Sequence, residues 1–231
     1  PALGAEGAAQ VAEAFLRDTA RRFQSVAEAR WLCYSPAQPV AKAWFEQLAE
    51  EQWSLWLQPD KPLGDRLARF FHDAFAAGYR RVIALGADSP TLPTEHLATA
   101  FRELERADCV VGPATDGGYY LLGLSRPLPS VFEAVEFSTE RVLGQTVERI
   151  IQAQATLSVL PPWYDVDGPA DLKMLEGHLR ALAAAGQGGE TPHTDQLFSS
   201  IFKSAGPSTS YHGGRTLSVA WAWMIRSTVC P

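Results

Sequence analysis

The chain has 231 residues, 46% hydrophobic and 20% charged, which excludes wholesale disorder and gives one sizeable domain a real core. A formal net charge of −6 and a pI near 5.4 exclude the clustered basic surface that nucleic-acid phosphates require. The three cysteines (Cys33, Cys109 and Cys230) are odd in number and widely spaced, so neither a disulfide framework nor a thiolate zinc site is indicated.

In chain order, Glu6 to Phe23 has the apolar spacing of an amphipathic helix. A strand at Arg30 to Tyr34, a helix at Ala41 to Glu51 and an extended segment at Trp53 to Leu57 follow. The helix Asp65 to Ala77 buries Leu67, Phe70, Phe71 and Phe75 and stops at Gly78. RVIAL, Arg81 to Leu85, is a continuous apolar strand of the parallel-sheet type. Thr94 is placed to cap a helix running to about Glu105, and DCVVG, Asp108 to Gly112, returns as a strand. Tyr119 to Leu124 is a strand, Ser138 to Gln154 a helix, Leu157 to Leu160 a short strand, and Pro169 to Ala184 a closing helix. Alternating strands and helices predict an α/β sandwich. From Gly186 onward the chain is rich in Gly, Ser, Thr and Pro and reads as linker or disorder, with one apolar patch, Leu217 to Ile225, to which no function attaches. No apolar run reaches membrane-spanning length, and the start lacks a basic region followed by an apolar one, so a cytoplasmic protein without membrane contact is expected.

Three acid-bearing turns fall at comparable strand ends, where open α/β sheets bind ligands. GADSPTLP carries Asp88, GPATDGGYYLLGL carries Asp116, and YDVDGPADL carries Asp165 and Asp167. Turn aspartates commonly serve local hydrogen bonding alone. Carboxylates gathered at one edge, however, can hold Mg²⁺ or Mn²⁺, which prefer oxygen ligands and bridge to substrate phosphates. Asp171, within a first helical turn, reads as a partner of the helix dipole. The five histidines lack metal-ligand spacing, and no Gly-x-Ser-x-Gly elbow is present.

GADSPTLP, GPATDGGYYLLGL, FSTERVLGQT and WYDVDGPADL, in that order, closely resemble the motifs of the bacterial DUF2064 family. These are glycosyltransferase-like members of the GT-A nucleotide-diphospho-sugar transferase superfamily. The match also takes in LGDRLARFFHDAFAAGYRRVIALG and runs to roughly Leu179. The resemblance implies a Rossmann-like GT-A fold, a three-layer αβα sandwich with a mostly parallel mixed sheet, over residues 1–184, followed by a linker-like or disordered tail at 185–231. It implies transfer of a sugar from a nucleotide-diphosphate donor to a small acceptor, with Asp88, Asp165 and Asp167 holding Mg²⁺ or Mn²⁺ and Asp116 positioning or deprotonating the acceptor hydroxyl. Ser89, Pro90, Gly117, Gly118 and Tyr119 are expected to line the substrates, and Arg66, at a helix start, to meet a phosphate; Lys61 reads as a surface residue. Nucleotidyl transfer, which uses the same fold and acids, is the alternative chemistry. Family members open with a strand and a Gly-x-x-Lys-Thr-Arg-Leu loop, whereas PALGAEGAAQ resembles the residues after that loop. An incomplete chain or an inactive relative is therefore a further expectation, with unpaired backbone groups and a gap in the core where a central strand is missing.

Overall fold

The computed structural model describes residues 4–204 and 221–226. Its elements, in order, are α1 (Gly4–Arg22), β1 (Ala29–Tyr34), α2 (Pro39–Ala49), β2 (Ser54–Leu57), α3 (Leu63–Ala76), β3 (Arg81–Gly86), α4 (Thr94–Glu103), β4 (Cys109–Pro113), β5 (Tyr119–Leu124), α5 (Val142–Gln152), β6 (Leu157–Val159), α6 (Pro169–Ala184), α7 (Pro192–Ser204) and β7 (Trp221–Arg226). A single 3₁₀ turn, Pro129–Phe132, precedes α5. The strands form one sheet in the order β2-β1-β7-β3-β5-β4-β6. β5 and β7 run against their neighbours, so β2, β1, β3, β4 and β6 share one direction.

β3 shows why this is a three-layer sandwich. Every residue of the strand is buried, with Ile83 and Leu85 in one apolar cluster and Val82 and Ala84 in another, so both faces of the sheet are covered. Leu16, Phe45 and Phe101 bring α1, α2 and α4 to the first face; Leu67, Phe70 and Ile150 bring α3 and α5 to the second. A third cluster joins Val11 and Phe15 of α1 to Leu175 and Leu179 of α6 and Phe198 of α7. Cys33 and Cys109 are free and buried as small core residues, while Cys230 lies outside the described residues. Among the described residues, no helix is long and apolar enough to cross a membrane.

Two local expectations are corrected. Thr94 is the first residue of α4 rather than its cap; Pro93 takes that place, without a side-chain hydrogen bond. α5 begins at Val142, because Ser138 has φ of 63° and the Thr139 hydroxyl donates to the Glu136 carbonyl at 2.7 Å, which closes a turn instead of opening a helix.

The segment expected as a linker-like tail contributes two elements. β7 takes the central place between β1 and β3, antiparallel to both, with Ala222 opposite Leu32 and Leu85. The sheet is continuous there, and β1 and β3 have a strand partner where unpaired backbone groups were expected. α7 docks on α1 because Asp18, fully buried, accepts hydrogen bonds from the amides of His193 at 3.1 Å and Thr194 at 2.8 Å. Those first-turn amides have no partner within a helix, and the carboxylate also complements the positive helix end. The Gly- and Ser-rich flanks hid this helix in the sequence, since its cap comes from a remote part of the chain. Residues 205–220 and 227–231 of the expected tail lie outside the described residues. Replacing Asp18 with Ala should cost about 1–2 kcal/mol. The lost stability is measurable by chemical denaturation, with faster amide exchange at His193 and Thr194.

Candidate active site

Because β3, β4 and β6 are parallel, their carboxyl ends lie on one edge of the sheet, and the β4–β5 hairpin loop rises from the same edge. In the sheet β6 stands three places from β3, about 14 Å at ~4.8 Å per strand. The segment after β6 closes that distance by crossing the edge. Leu160 N donates to Val111 O at 2.8 Å and Trp163 N to Pro113 O at 3.0 Å; then Val166 N donates to Asp88 O at 3.0 Å. Thr115 N donates back to Trp163 O at 3.1 Å, tying the hairpin loop to the crossing segment.

This path brings the acids together. Asp116, Asp165 and Asp167 each offer a carboxylate oxygen within 4.8 Å of the other two, with Asp116 exposed and the others half-buried. Asp88 stands beside that group. Burial, then the charges of Asp167 and Asp116, push its carboxyl up to about 7. Asp165 is likewise pushed up to about 7, by burial and then by Asp88, Asp116 and Asp167. Burial followed by Asp116 and Asp171 raises Asp167. Asp171 itself accepts from the amides of Gly168 at 2.9 Å and Asp167 at 3.3 Å, the helix-start role expected for it.

The turn between β4 and β5 is built for close approach. Asp116 Oδ1 accepts from Gly118 N at 2.7 Å, which fixes the carboxylate and leaves its second oxygen free of that bond. Gly117 has φ of 94°, and a Cβ there would lie 2.2 Å from the Glu140 carbonyl oxygen. Gly117 O in turn accepts from Leu143 N at 3.1 Å. Only glycine fits this position.

A family model described as "Uncharacterized protein conserved in bacteria (DUF2064)" matches residues 19–139, just over half of the chain. The chain belongs to the DUF2064 family. Among solved structures, this DUF2064 chain is similar to a "putative nucleotide-diphospho-sugar transferase" from Desulfovibrio desulfuricans G20, with 27% identity and a TM-score of 0.72 over 83% of this chain and 85% of that one. The likeness confirms the Rossmann-like GT-A architecture. No curated protein matches the chain.

Within this DUF2064 chain, several residues expected at the substrates have other partners. Ser89 is buried, and its hydroxyl donates to the Tyr164 carbonyl at 3.0 Å. The Pro90 carbonyl accepts from Arg22, whose nearly buried guanidinium also pairs with Glu190 at 3.0 Å. Arg66 donates to the Lys61 carbonyl at 2.6 Å and to Gln58 Oε1 at 3.2 Å, an intramolecular brace at the start of α3. Tyr119 is 8% exposed, and its ring packs in the second core cluster. A bulge explains that placement. Between Gly112 and Pro113 the β4–β5 register shifts, so Tyr120 and Leu121 both face the first cluster while Tyr119 faces the second. Gly112 makes room for the Tyr120 ring, since a Cβ there would lie 2.3 Å from Tyr120 Cζ.

An aromatic group under the acids escaped prediction. Tyr120 OH donates to the Pro161 carbonyl at 3.0 Å and lies 3.1 Å from His96 Nδ1. Trp163 stacks on Tyr164 at 5.7 Å between centroids, and His178 Nδ1 lies 2.8 Å from Tyr164 OH. Burial holds both His96 and His178 below the usual imidazole range, favouring their neutral forms. The sequence signal was the Trp-Tyr pair preceding Asp165, but its partners come from α4, β5 and α6, which no local pattern joins.

Gly117→Ala should cost about 2–3 kcal/mol, through both the φ and the carbonyl clash, read as a lower denaturation midpoint. The raised acids give a second prediction. Asp165 binds its proton more tightly folded than unfolded, so its burden is absent below about pH 4, grows as pH rises to about 7 and is constant above. In chelator, Asp165→Asn should therefore gain thermal stability over the parent at pH ~8 but little at pH ~4, by about 2–4 °C for each kcal/mol relieved.

Proposed function

We propose that this DUF2064 chain is a divalent-metal-dependent transferase that moves a sugar from a nucleotide-diphosphate donor to a small acceptor. The observation that carries the reading is the convergence of Asp116, Asp165 and Asp167, from two separate loops, within 4.8 Å at the carboxyl edge of the sheet. The likeness to the Desulfovibrio protein supports the donor class.

The residues fit Mg²⁺ or Mn²⁺. Oxygen ligands at ~2.1 Å on opposite sides of an ion stand ~4.2 Å apart, within the span of these carboxylates. Burial, and after it mutual repulsion, raises Asp88, Asp165 and Asp167, and the repulsive part is what a cation would relieve. When bound, a divalent ion supplies charge neutralisation on the departing diphosphate. Asp165 and Asp167 would hold it from the crossing segment together with Asp116, and Asp88, in the turn after β3 and outside that group of three, would add negative charge beside it. Asp116, fixed through one oxygen by Gly118 N, presents the other to the ion or to an acceptor hydroxyl. Gly117 and Gly118 hold the turn in shape around Asp116, since a Cβ on the first would meet the Glu140 carbonyl and on the second the Asp116 carboxylate.

Calorimetric titration with a panel of nucleoside diphosphates and their sugars, with Mn²⁺ or with chelator, tests this reading. Metal-dependent binding is expected, lost by at least about tenfold in Asp167→Asn. Turnover should release a nucleoside diphosphate. Pyrophosphate release from a nucleoside triphosphate would overturn glycosyl transfer in favour of nucleotidyl transfer, and absence of metal-dependent binding by folded protein would overturn the site.

A further inference from the structure

The two acid-bearing strands β3 and β6 are not neighbours, so the distance between Asp88 and Asp165 is set by whatever fastens the crossing segment to the turn after β3. One residue makes most of those contacts. Tyr164 lies directly before Asp165, and its carbonyl accepts from Ser89 Oγ at 3.0 Å. Its hydroxyl lies 2.8 Å from Thr91 Oγ1 and 2.8 Å from His178 Nδ1. Thus the backbone of Tyr164 is tied to the residue after Asp88, and its side chain to a residue of the same turn and to α6. Beside it, Val166 N donates to Asp88 O at 3.0 Å. Ser89, Thr91 and Val166 are buried, while Tyr164 and His178 are half-buried, so these bonds are partly shielded from competing water.

We infer that Tyr164 is a positioning residue for the acidic site: its hydroxyl, shared between Thr91 and His178, clamps the crossing segment to the turn after β3 and thereby sets the spacing of Asp88 against Asp165 and Asp167. The Tyr164 hydroxyl acts on the acids through the backbone that carries Asp165 and through the turn that carries Asp88, one step farther out than a partner bonded directly to a metal ligand, whose loss typically lowers metal affinity 10–100-fold. The ring itself is held by stacking on Trp163 and by its approach to His178 at 5.9 Å between centroids, so removing only the oxygen leaves the packing in place.

Tyr164→Phe is the test, with two readouts. The first, Mn²⁺ affinity, rests on the metal reading above: the variant should bind about tenfold more weakly, Thr91→Val, which removes one of the two hydroxyl bonds, should weaken binding by less, and the double variant should lose little beyond Tyr164→Phe, because the Thr91 bond is already gone there. The second does not depend on metal. Amide exchange at Val166, measured in chelator, should quicken by about tenfold as the two turns part. A variant that binds Mn²⁺ as the parent does, or whose Val166 amide exchanges at the parent rate, overturns the clamp. If the parent itself fails to bind Mn²⁺, the metal reading falls, and Val166 exchange alone decides the clamp. A lower thermal midpoint with both readouts unmoved would mark the hydroxyl as merely structural.

Discussion

The constraint on which the site depends is the passage of residues 160–166 across the edge of the sheet. Strand order separates β3 from β6 by two intervening strands, so no tight turn can place their acids side by side. The passage succeeds because backbone amides along it find acceptors at successive stations, first on β4 and finally on Asp88. An irregular segment laid over a sheet edge would otherwise bury unpaired polar groups. Here the same hydrogen bonds that satisfy the segment also aim its carboxylates.

The aromatic residues beneath that passage bear its load. Tyr120 reaches up from β5 to the Pro161 carbonyl, and it can do so only because Gly112 carries no side chain and a bulge turns the ring toward the first core cluster. Farther along, Trp163 and Tyr164 stack on one another and meet His178 of α6. The acids above them are held in a costly arrangement, since burial and like charge both oppose ionisation. Stability spent at the edge is offset by the apolar packing on both faces of β3, which holds the strand ends rigid.

Most of the sandwich was legible because its signals are local. RVIAL is apolar on both faces, helix α3 repeats its aromatics at helical spacing, and β5 and α6 fall on the residues expected of them. The acid-bearing turns were legible for the same reason: they sit between periodic segments. Side-chain roles within them were not. Ser89 and Pro90 look like substrate contacts in sequence, yet their polar groups meet Tyr164 and Arg22, residues distant along the chain. Tyr119 was expected to line the substrates, yet one residue of bulge turns its ring into the second core cluster. Asp116 groups with Asp165 and Asp167 through the Thr115 to Trp163 hydrogen bond, a tertiary contact without a sequence signature. α7 and β7 were hidden because composition reports the flanks, whereas the helix cap and the strand's partners are supplied from elsewhere.

The position of β7 also governs how the sheet can come into being. Among the described residues, with the order β2-β1-β7-β3-β5-β4-β6, the β1–β2 pair and the four strands from β3 to β6 touch along the sheet only through β7. Trp221–Arg226 joins these two ribbons, pairing Ile225 with both Ala29 and Val82. Contacts of such long sequence separation are slow to form, because the entropy of closing the intervening chain must be met before any ladder hydrogen bond compensates. Until then β1 and β3 each present an open edge, the template on which strands of neighbouring molecules pair. Closure of this sheet therefore competes with association between chains, and dilution favours closure.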